Sequence, residues 1–427
     1  VNPPRSPLQI SDYRWFWLAR FATVMATSGM VVVLGYQLYD IARGGYGMSI
    51  AQSAFQLGLL GLAQFAPFIV LTPLAGIVAD RIDRRRIAAS AMAADLLIAL
   101  ALGLATMWHA LGLPLLFGLA VAHGTARVFL SPALSSITPN IVPTDMLPKA
   151  IALGSIAWQA GSIAGPALAG LIFARYPPLA YGLAAALIGV GLVAILRVRR
   201  VPPPPLDRNV HPLRQMAEGY HYIRGHRFLL GCVTLDLFAV LLGGATALLP
   251  VYARDILFVG GAPVGPHGLG LMRAAPALGA ALVAMLLTRW PLARDVGAKM
   301  LWSVAVYGAA TLAFGLSRNF AWSLLLLVVL GAADMVSVYV RSSLVQLSTP
   351  DDKRGRVSAI SGLAISASNE LGEMESGMAA ALLGATGAVV MGGAGAILLT
   401  LAWAIWFPEI RRARTFTPQT TDQELVT

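Results

Sequence analysis

The sequence predicts an all-α integral membrane protein, with twelve transmembrane helices in two pseudo-symmetric six-helix bundles. Three observations carry this expectation. Of 427 residues, 57% are hydrophobic and only 12% are charged, against about 25% charged in soluble domains. Apolar runs of bilayer length recur along the chain, each crossing needing about 20 residues. They are continuous rather than alternating, which argues against a β-barrel. Lys and Arg gather in every second connection, the mark of inside loops. The net charge of +11 belongs to those loops and implies no nucleic-acid partner.

Twelve spans follow in order, at 15–40, 50–79, 87–109, 113–138, 148–173, 178–197, 228–252, 267–288, 298–317, 321–347, 356–385 and 387–407. Those longer than about 25 residues tilt or protrude. With the N-terminus in the cytoplasm, the inside segments hold 24 Lys and Arg residues, and the outside connections hold four, Arg43, Arg175, Arg254 and Arg318. That asymmetry places both termini in the cytoplasm. The first run carries Arg20, continues to Leu38 and offers no small-residue cleavage site, so it reads as a retained span rather than a signal peptide. The single cysteine, Cys232, allows no intrachain disulfide and reads as a packing residue.

The organisation reads as a six-helix bundle over 1–200, a cytoplasmic linker over 201–227, a second bundle over 228–408 and a polar cytoplasmic tail over 409–427. The linker opens on four prolines at 202–205, a stiff extended segment. It ends in a stretch with Leu213, Met216, Tyr220 and Ile223 on one helical face, expected to lie at the membrane interface. The halves resemble each other. A shift of 207 residues superposes Pro143, Asp145 and Lys149 on Pro350, Asp352 and Arg356, Gly124 on Gly331, and Arg127 on Asp334. A shift of 213 brings Tyr39 to Tyr252. Sparse matches at corresponding connections indicate a parallel internal repeat.

The connection between spans 2 and 3 concentrates charge, with Gly76, Asp80, Arg81, Asp83, Arg84, Arg85 and Arg86 in one short segment. It resembles the loop between helices 2 and 3 of major facilitator superfamily transporters, roughly G-x-x-x-D-R-x-G-R-R. Gly76, Asp80, Arg81, Arg84 and Arg85 match in register, and Asp83 stands where the family often has glycine. The resemblance covers nearly the whole chain. It implies a monomeric transporter that works by alternating access, with no cofactor and with this loop as a cytoplasmic gate. In that gate Asp80 would accept hydrogen bonds at the start of span 11, near 357–361, where the helix dipole is positive. Arg81, Arg84 and Arg85 would hold Asp80 or acidic lipid headgroups. Span 5 carries Gly161, Gly165, Pro166, Ala169 and Gly170. Small residues four apart permit close helix contact, and proline bends the span. This pattern resembles the antiporter motif G-x-x-x-G-P-x-x-G-G of drug:proton antiporters, with Ala169 replacing one glycine.

Charges inside the membrane are costly and mark function. Arg127 lies near the middle of span 4 and Asp334 near the middle of span 10. In the resembled fold, helices 1, 4, 7 and 10 surround the central cavity and 4 faces 10. The resemblance therefore implies that Arg127 and Asp334 approach each other in one state, and that a proton on Asp334 weakens the pair. Span 11 carries Glu370, Glu373 and Glu375. Glu370 and Glu373 share a face at i, i+3. Crowded carboxylates in a low dielectric suit proton binding or a cationic substrate. Asp236, about two turns into span 7, is a further cavity candidate. Asp95 in span 3 is a weaker candidate. His123, one turn before Arg127, borders the same cavity or serves structure. Arg273 and Arg341, toward span ends, read as packing or gating contacts, and Arg20 as an interfacial residue.

The chain shows no P-loop, no paired metal ligands and no hydrolytic motif. An enzyme, a resident cofactor and a confident metal site are not expected, and transport would run on an ion gradient or by facilitated diffusion. The string Ser368, Asn369, Glu370, Leu371, Gly372, Glu373, Met374, Glu375, Ser376, Gly377 resembles the enterobactin-exporter-like, or transmembrane secretion effector, branch of the superfamily. That resemblance implies a proton-coupled exporter of a small amphipathic compound, siderophore or drug-like, in a bacterial cytoplasmic membrane. A lysophospholipid or metal-ion transporter on the same fold is the alternative, followed by a non-transporting membrane sensor.

Overall fold

The computed structural model of the chain describes residues 6–143, 146–201 and 212–416. Asp145 of the repeat and the four linker prolines lie outside them. Spans 1 to 6 form the helices Ser11–Asp40, Ile50–Arg81, Arg84–Met107, Leu113–Ile141, Leu147–Arg175 and Pro177–Arg197. Their ends have chemical causes. Span 2 opens on a capping box, in which the Ser49 hydroxyl accepts from the Gln52 N–H and the Gln52 side chain accepts from the Ser49 N–H. Spans 4, 5 and 6 carry proline in their first turn, where a missing N–H costs nothing. Span 1 ends in a π turn, Ile41–Gly45.

Spans 8, 9 and 10 are Gly265–Arg289, Val296–Leu316 and Phe320–Leu347. Span 7 departs from the single helix expected over 228–252. It is regular over Arg227–Leu242, then passes through Gly243 and Gly244 into a 3-10 turn, Ala245–Leu248. One helical turn, Leu249–Val251, and a π turn, Tyr252–Ile256, complete it. Each glycine in a helix costs about 1 kcal/mol relative to alanine, and two in succession are followed here by Pro250, which lacks an N–H. Spans 11 and 12 share one helical run, Asp351–Trp406, broken at Gly384 with φ 75° and ψ 161°. That conformation is essentially open to glycine alone. Among the described residues, eleven helices are long and apolar enough to cross a membrane, and the break at Gly384 divides the last into two crossings.

By spatial proximity the chain divides into two compact units, Val1–Asp207 with Leu249–Ala277, and Arg208–Leu248 with Leu278–Thr427. Two of the cuts fall after the 3-10 turn of span 7 and just after Pro276 inside span 8. In the first unit, span 1 packs on spans 5 and 6, span 3 on spans 4 and 6, and span 2 on span 4. In the second, spans 9 and 7 pack on the run of spans 11 and 12, and span 9 on span 10. Leu229, Leu235, Met300, Val304 and Leu344 form part of its core.

The linker helix forms over Pro212–Gly225. Ile223 is buried in the second unit's core, but Tyr220 is exposed. The helix docks on the start of span 11, and the side chains of Leu213 and Met216 lie outside the described residues. Glu218 pairs with Arg356 at 2.7 Å, and the Lys353 ammonium lies 4.6 Å over the Tyr222 ring. A side chain at Gly219 would meet the Arg356 carbonyl at 2.8 Å, so the backbones are in close contact.

Candidate functional site

The loop between spans 2 and 3 works as a cap and clamp within the first unit. Asp83 is the N-cap of span 3, its carboxylate accepting from the Arg85 N–H at 2.9 Å and the Val201 N–H at 3.3 Å. Its extended backbone needs no glycine, which accounts for the departure from the family pattern. Arg84 donates to the Ser136 carbonyl at 3.1 Å and Arg85 to the Val198 carbonyl at 2.7 Å. Guanidinium groups thus satisfy carbonyls at the ends of spans 4 and 6, where the helix dipole favours a cation. Arg81 is exposed. Gly76 lies within the helix of span 2, and the Asp80 side chain lies outside the described residues.

The glycines of span 5 are contact points. A side chain at Gly165 would overlap the Met25 carbonyl and the Ser28 hydroxyl, and one at Gly161 would meet the Met25 nitrogen at 3.0 Å. The Ser28 hydroxyl donates to the Gly161 carbonyl at 3.2 Å. Gly170 and Gly270 of span 8 touch backbone to backbone, and the Pro166 carbonyl faces Gly270. The motif therefore presses span 5 onto spans 1 and 8.

Two polar clusters of this unit were not anticipated. Asp95 and His123 pair at 2.9 Å, 0% and 1% exposed. Arg127, half-buried, follows His123 by one turn of span 4. At the end of the unit remote from Arg84, the Tyr39 hydroxyl donates to Asp255 at 2.6 Å. Arg43 pairs with Asp255 at 3.4 Å, and Arg254 with Asp40 at 3.2 Å. This knot joins the two π turns that end spans 1 and 7. The available sequence signal was the adjacency of Asp40 to Arg43 and of Arg254 to Asp255 in segments the repeat aligns.

In the second unit Asp236 of span 7 forms a buried ion pair with Arg341 of span 10, the side chains 8% and 6% exposed. Arg341 is therefore an ion-pair partner, a role its place near a span end did not suggest. The pair lines a cleft of about 180 Å³ with Ser342, Gln346, Ser358 and Ser361. Asp334, half-buried, lies two turns along span 10 from Arg341. Arg127 and Asp334 belong to different units.

Span 11 meets the break in span 7. A side chain at Gly372 would meet the Val240 carbonyl at 2.9 Å, and one at Gly244 would overlap the Ser376 hydroxyl. The Tyr307 hydroxyl donates to the Gly243 carbonyl at 3.0 Å, supplying a partner where the helix breaks. With about 100° per residue, Glu373 and Glu375 flank this contact, each about 80° from its centre on opposite sides. Both are half-buried. The Glu370 side chain lies outside the described residues. A broken span beside flanking carboxylates is the kind of place where transporters hold charged cargo or coupling ions. The glycine pair at 243 and 244 was the sequence signal for this break.

These features define a class, a multi-pass membrane transporter built from a repeated helical bundle. The chain belongs to the Major Facilitator Superfamily, whose family model matches residues 16–373. It is a transporter of a small molecule and not an enzyme. Among curated proteins it is similar to the enterobactin exporter EntS of Escherichia coli O1:K1, 27% identical over 421 residues, covering 96% of this chain and 95% of the relative. The enterobactin exporter EntS of Citrobacter koseri is 26% identical over 383 residues, 88% of this chain and 86% of the relative. Among solved structures, a bacterial homologue of the human lysosomal transporter Spinster superposes with a TM-score of 0.70 at 16% identity, covering 96% of this chain and 98% of that one. The nucleoside transporter NupG gives 0.68 at 13% identity, covering 93% and 100%.

Proposed function

We propose that the protein is a proton-coupled exporter of a small amphipathic organic compound of the siderophore class, acting as a monomer by alternating access in a bacterial cytoplasmic membrane, with both termini inside. The observation that carries the reading is the end-to-end match to enterobactin exporters, 96% of one chain against 95% of the other. The carboxylates flanking the span-7 break support it, since charged groups beside a broken span suit a coupling ion or charged cargo. Arg127, Asp334, Asp236, Glu370 and Glu373 are assigned to proton coupling or substrate binding. Gly76, Asp80, Arg81, Arg84 and Arg85 form the cytoplasmic gate, and Gly161, Gly165, Pro166 and Gly170 the antiporter-like hinge contact. The metal-ion alternative has less support, because few His and Cys residues accompany the span-11 carboxylates.

The test uses purified protein in proteoliposomes, with enterobactin, cationic drugs, lysolipids and divalent metals as probes, with and without an imposed pH gradient. Enterobactin flux that rises with an inward proton gradient is the expected result. Flux indifferent to the gradient removes proton coupling. Flux of lysolipid or metal without enterobactin replaces the substrate class. Glu373→Gln is expected to reduce gradient-driven flux at least tenfold while leaving the protein folded.

A further inference from the structure

Asp95 and His123 are the most deeply buried titratable pair in the first unit, and none of the functional assignments above uses them. Asp95 Oδ1 lies 2.9 Å from His123 Nδ1. The remaining polar atom of each, Asp95 Oδ2 and His123 Nε2, is buried with no hydrogen-bond partner among the described residues. A purely structural pair normally satisfies such atoms. We infer that Asp95 and His123 form a proton-binding couple in the first unit, one helical turn from Arg127. The inference rests on the exporter reading only for its transport consequence.

The chemistry balances as a simple protonation. With Nδ1–H donating to the carboxylate, the neutral imidazole and Asp95 together carry one negative charge. A proton added at Nε2 makes an imidazolium beside a carboxylate, of zero net charge. No other bond forms or breaks. In a low dielectric the uncompensated charge is the costly state, so the couple has a physical reason to take up a proton, and histidine is the side chain suited to doing so near neutral pH.

Charges on the packed elements are few. Span 3 carries no charge besides Asp95 after Arg84, Arg85 and Arg86 at its start, and span 4 carries only Arg127. Span 2 presents Gln64, whose carbonyl lies against Gly124, and has its charges, Asp80 and Arg81, at its end. Span 6 contributes Tyr181, which donates to Gln37 at 2.6 Å, and Arg197 at its end. Span 1 carries Asp12, Tyr13, Arg14, Arg20, Tyr36, Tyr39 and Asp40, and span 5 carries Lys149 and Arg175 at its ends. Arg127 is the cation nearest along the chain. A negative couple attracts it, and a neutralised couple releases that attraction. Proton uptake at His123 would therefore alter the field at a residue assigned to substrate binding.

The experiment titrates the imidazole directly in the full-length protein. Protein labelled with ¹⁵N at its six histidines is reconstituted in nanodiscs, and His123→Gln assigns the signal. Spectra are recorded from about pH 5 to 9, the range in which histidine can serve as a switch, and the expected result is an Nδ1-protonated tautomer that reversibly gains its second proton. Asp95→Asn, which removes the opposing charge, should lower the midpoint by about one unit or more, and Asp95→Glu should retain it. A His123 signal that keeps one protonation state across this range overturns the inference, as does a midpoint unmoved by Asp95→Asn. If the variants do not fold, the titration of the unaltered protein decides. In proteoliposomes, His123→Gln should abolish the response of enterobactin flux to the pH gradient while gradient-free flux persists. Absence of enterobactin flux in the unaltered protein defeats the exporter reading and leaves the titration to stand or fall alone.

Discussion

Among the described residues, each unit buries one acidic side chain against a basic partner, and the pairs differ in what their basic members can do. Asp236 faces an arginine, which stays protonated in proteins and cannot relieve its own burial. Asp95 faces a histidine, which can. The first pair lines a cleft of about 180 Å³, so its fixed charges border open space. The second is closed off, and among the described residues Asp95 Oδ2 and His123 Nε2 find no partner. If Asp95 and His123 exchange a proton as proposed, the two pairs serve different ends. A permanent dipole suits orientation and binding, whereas a convertible pair suits proton exchange.

The sharpest break in that contrast is removal of one partner. Asp236→Ala strands the Arg341 guanidinium, and breaking a buried pair this way costs about 3–5 kcal/mol. Thermal melting of the purified protein should show it as the largest loss. Replacing both residues, with Asp236→Leu and Arg341→Met, should recover most of that loss while substrate binding fails. Asp95→Ala should cost less, about 1–3 kcal/mol, because the imidazole left behind can remain neutral. Equal losses at Asp236 and Asp95 would erase the distinction between a fixed and a convertible pair.

Two smaller effects test the frames that hold these pairs. Gly165→Ala drives a methyl group into the Met25 carbonyl and the Ser28 hydroxyl, an overpacking cost of about 1–3 kcal/mol. Cross-linking between spans 1 and 5 should report the resulting separation. Asp83→Ala removes a helix cap, at about 1 kcal/mol, whereas Asp83→Asn should be close to neutral. A larger loss for Asp83→Ala than for Gly165→Ala would make the loop, not the span-5 contact, the main brace of the first unit.

Much of this was legible in the sequence because bilayer thickness imposes its length on every span. The first six boundaries needed only apolar runs and their flanking charges. The span-7 break was hidden because hydropathy continues straight through Gly243 and Gly244, and only backbone conformation changes there. Asp236 was recognisable as an intramembrane charge, but its partner was not, since Arg341 lies 105 residues away and an arginine near a span end is ordinary. His123 and Asp95 were visible singly. Their meeting depends on how spans 3 and 4 are rotated, which two uniformly apolar helices do not encode in any periodic pattern. The loop of spans 2 and 3 marked the family correctly, while the role of Asp83 as a cap emerged only with its hydrogen bonds.

The contact of Gly170 with Gly270 has a consequence for leakage. A proton-driven carrier loses its energy source if water threads through a closed end. Side-chain plugs open transiently as rotamers hop, but two glycines in contact have no rotamers. There the two main chains meet directly, and they separate only when whole helices part. The smallest residue in the motif would then serve as insulation, and Gly170→Ser should be detected first as a proton leak in substrate-free vesicles.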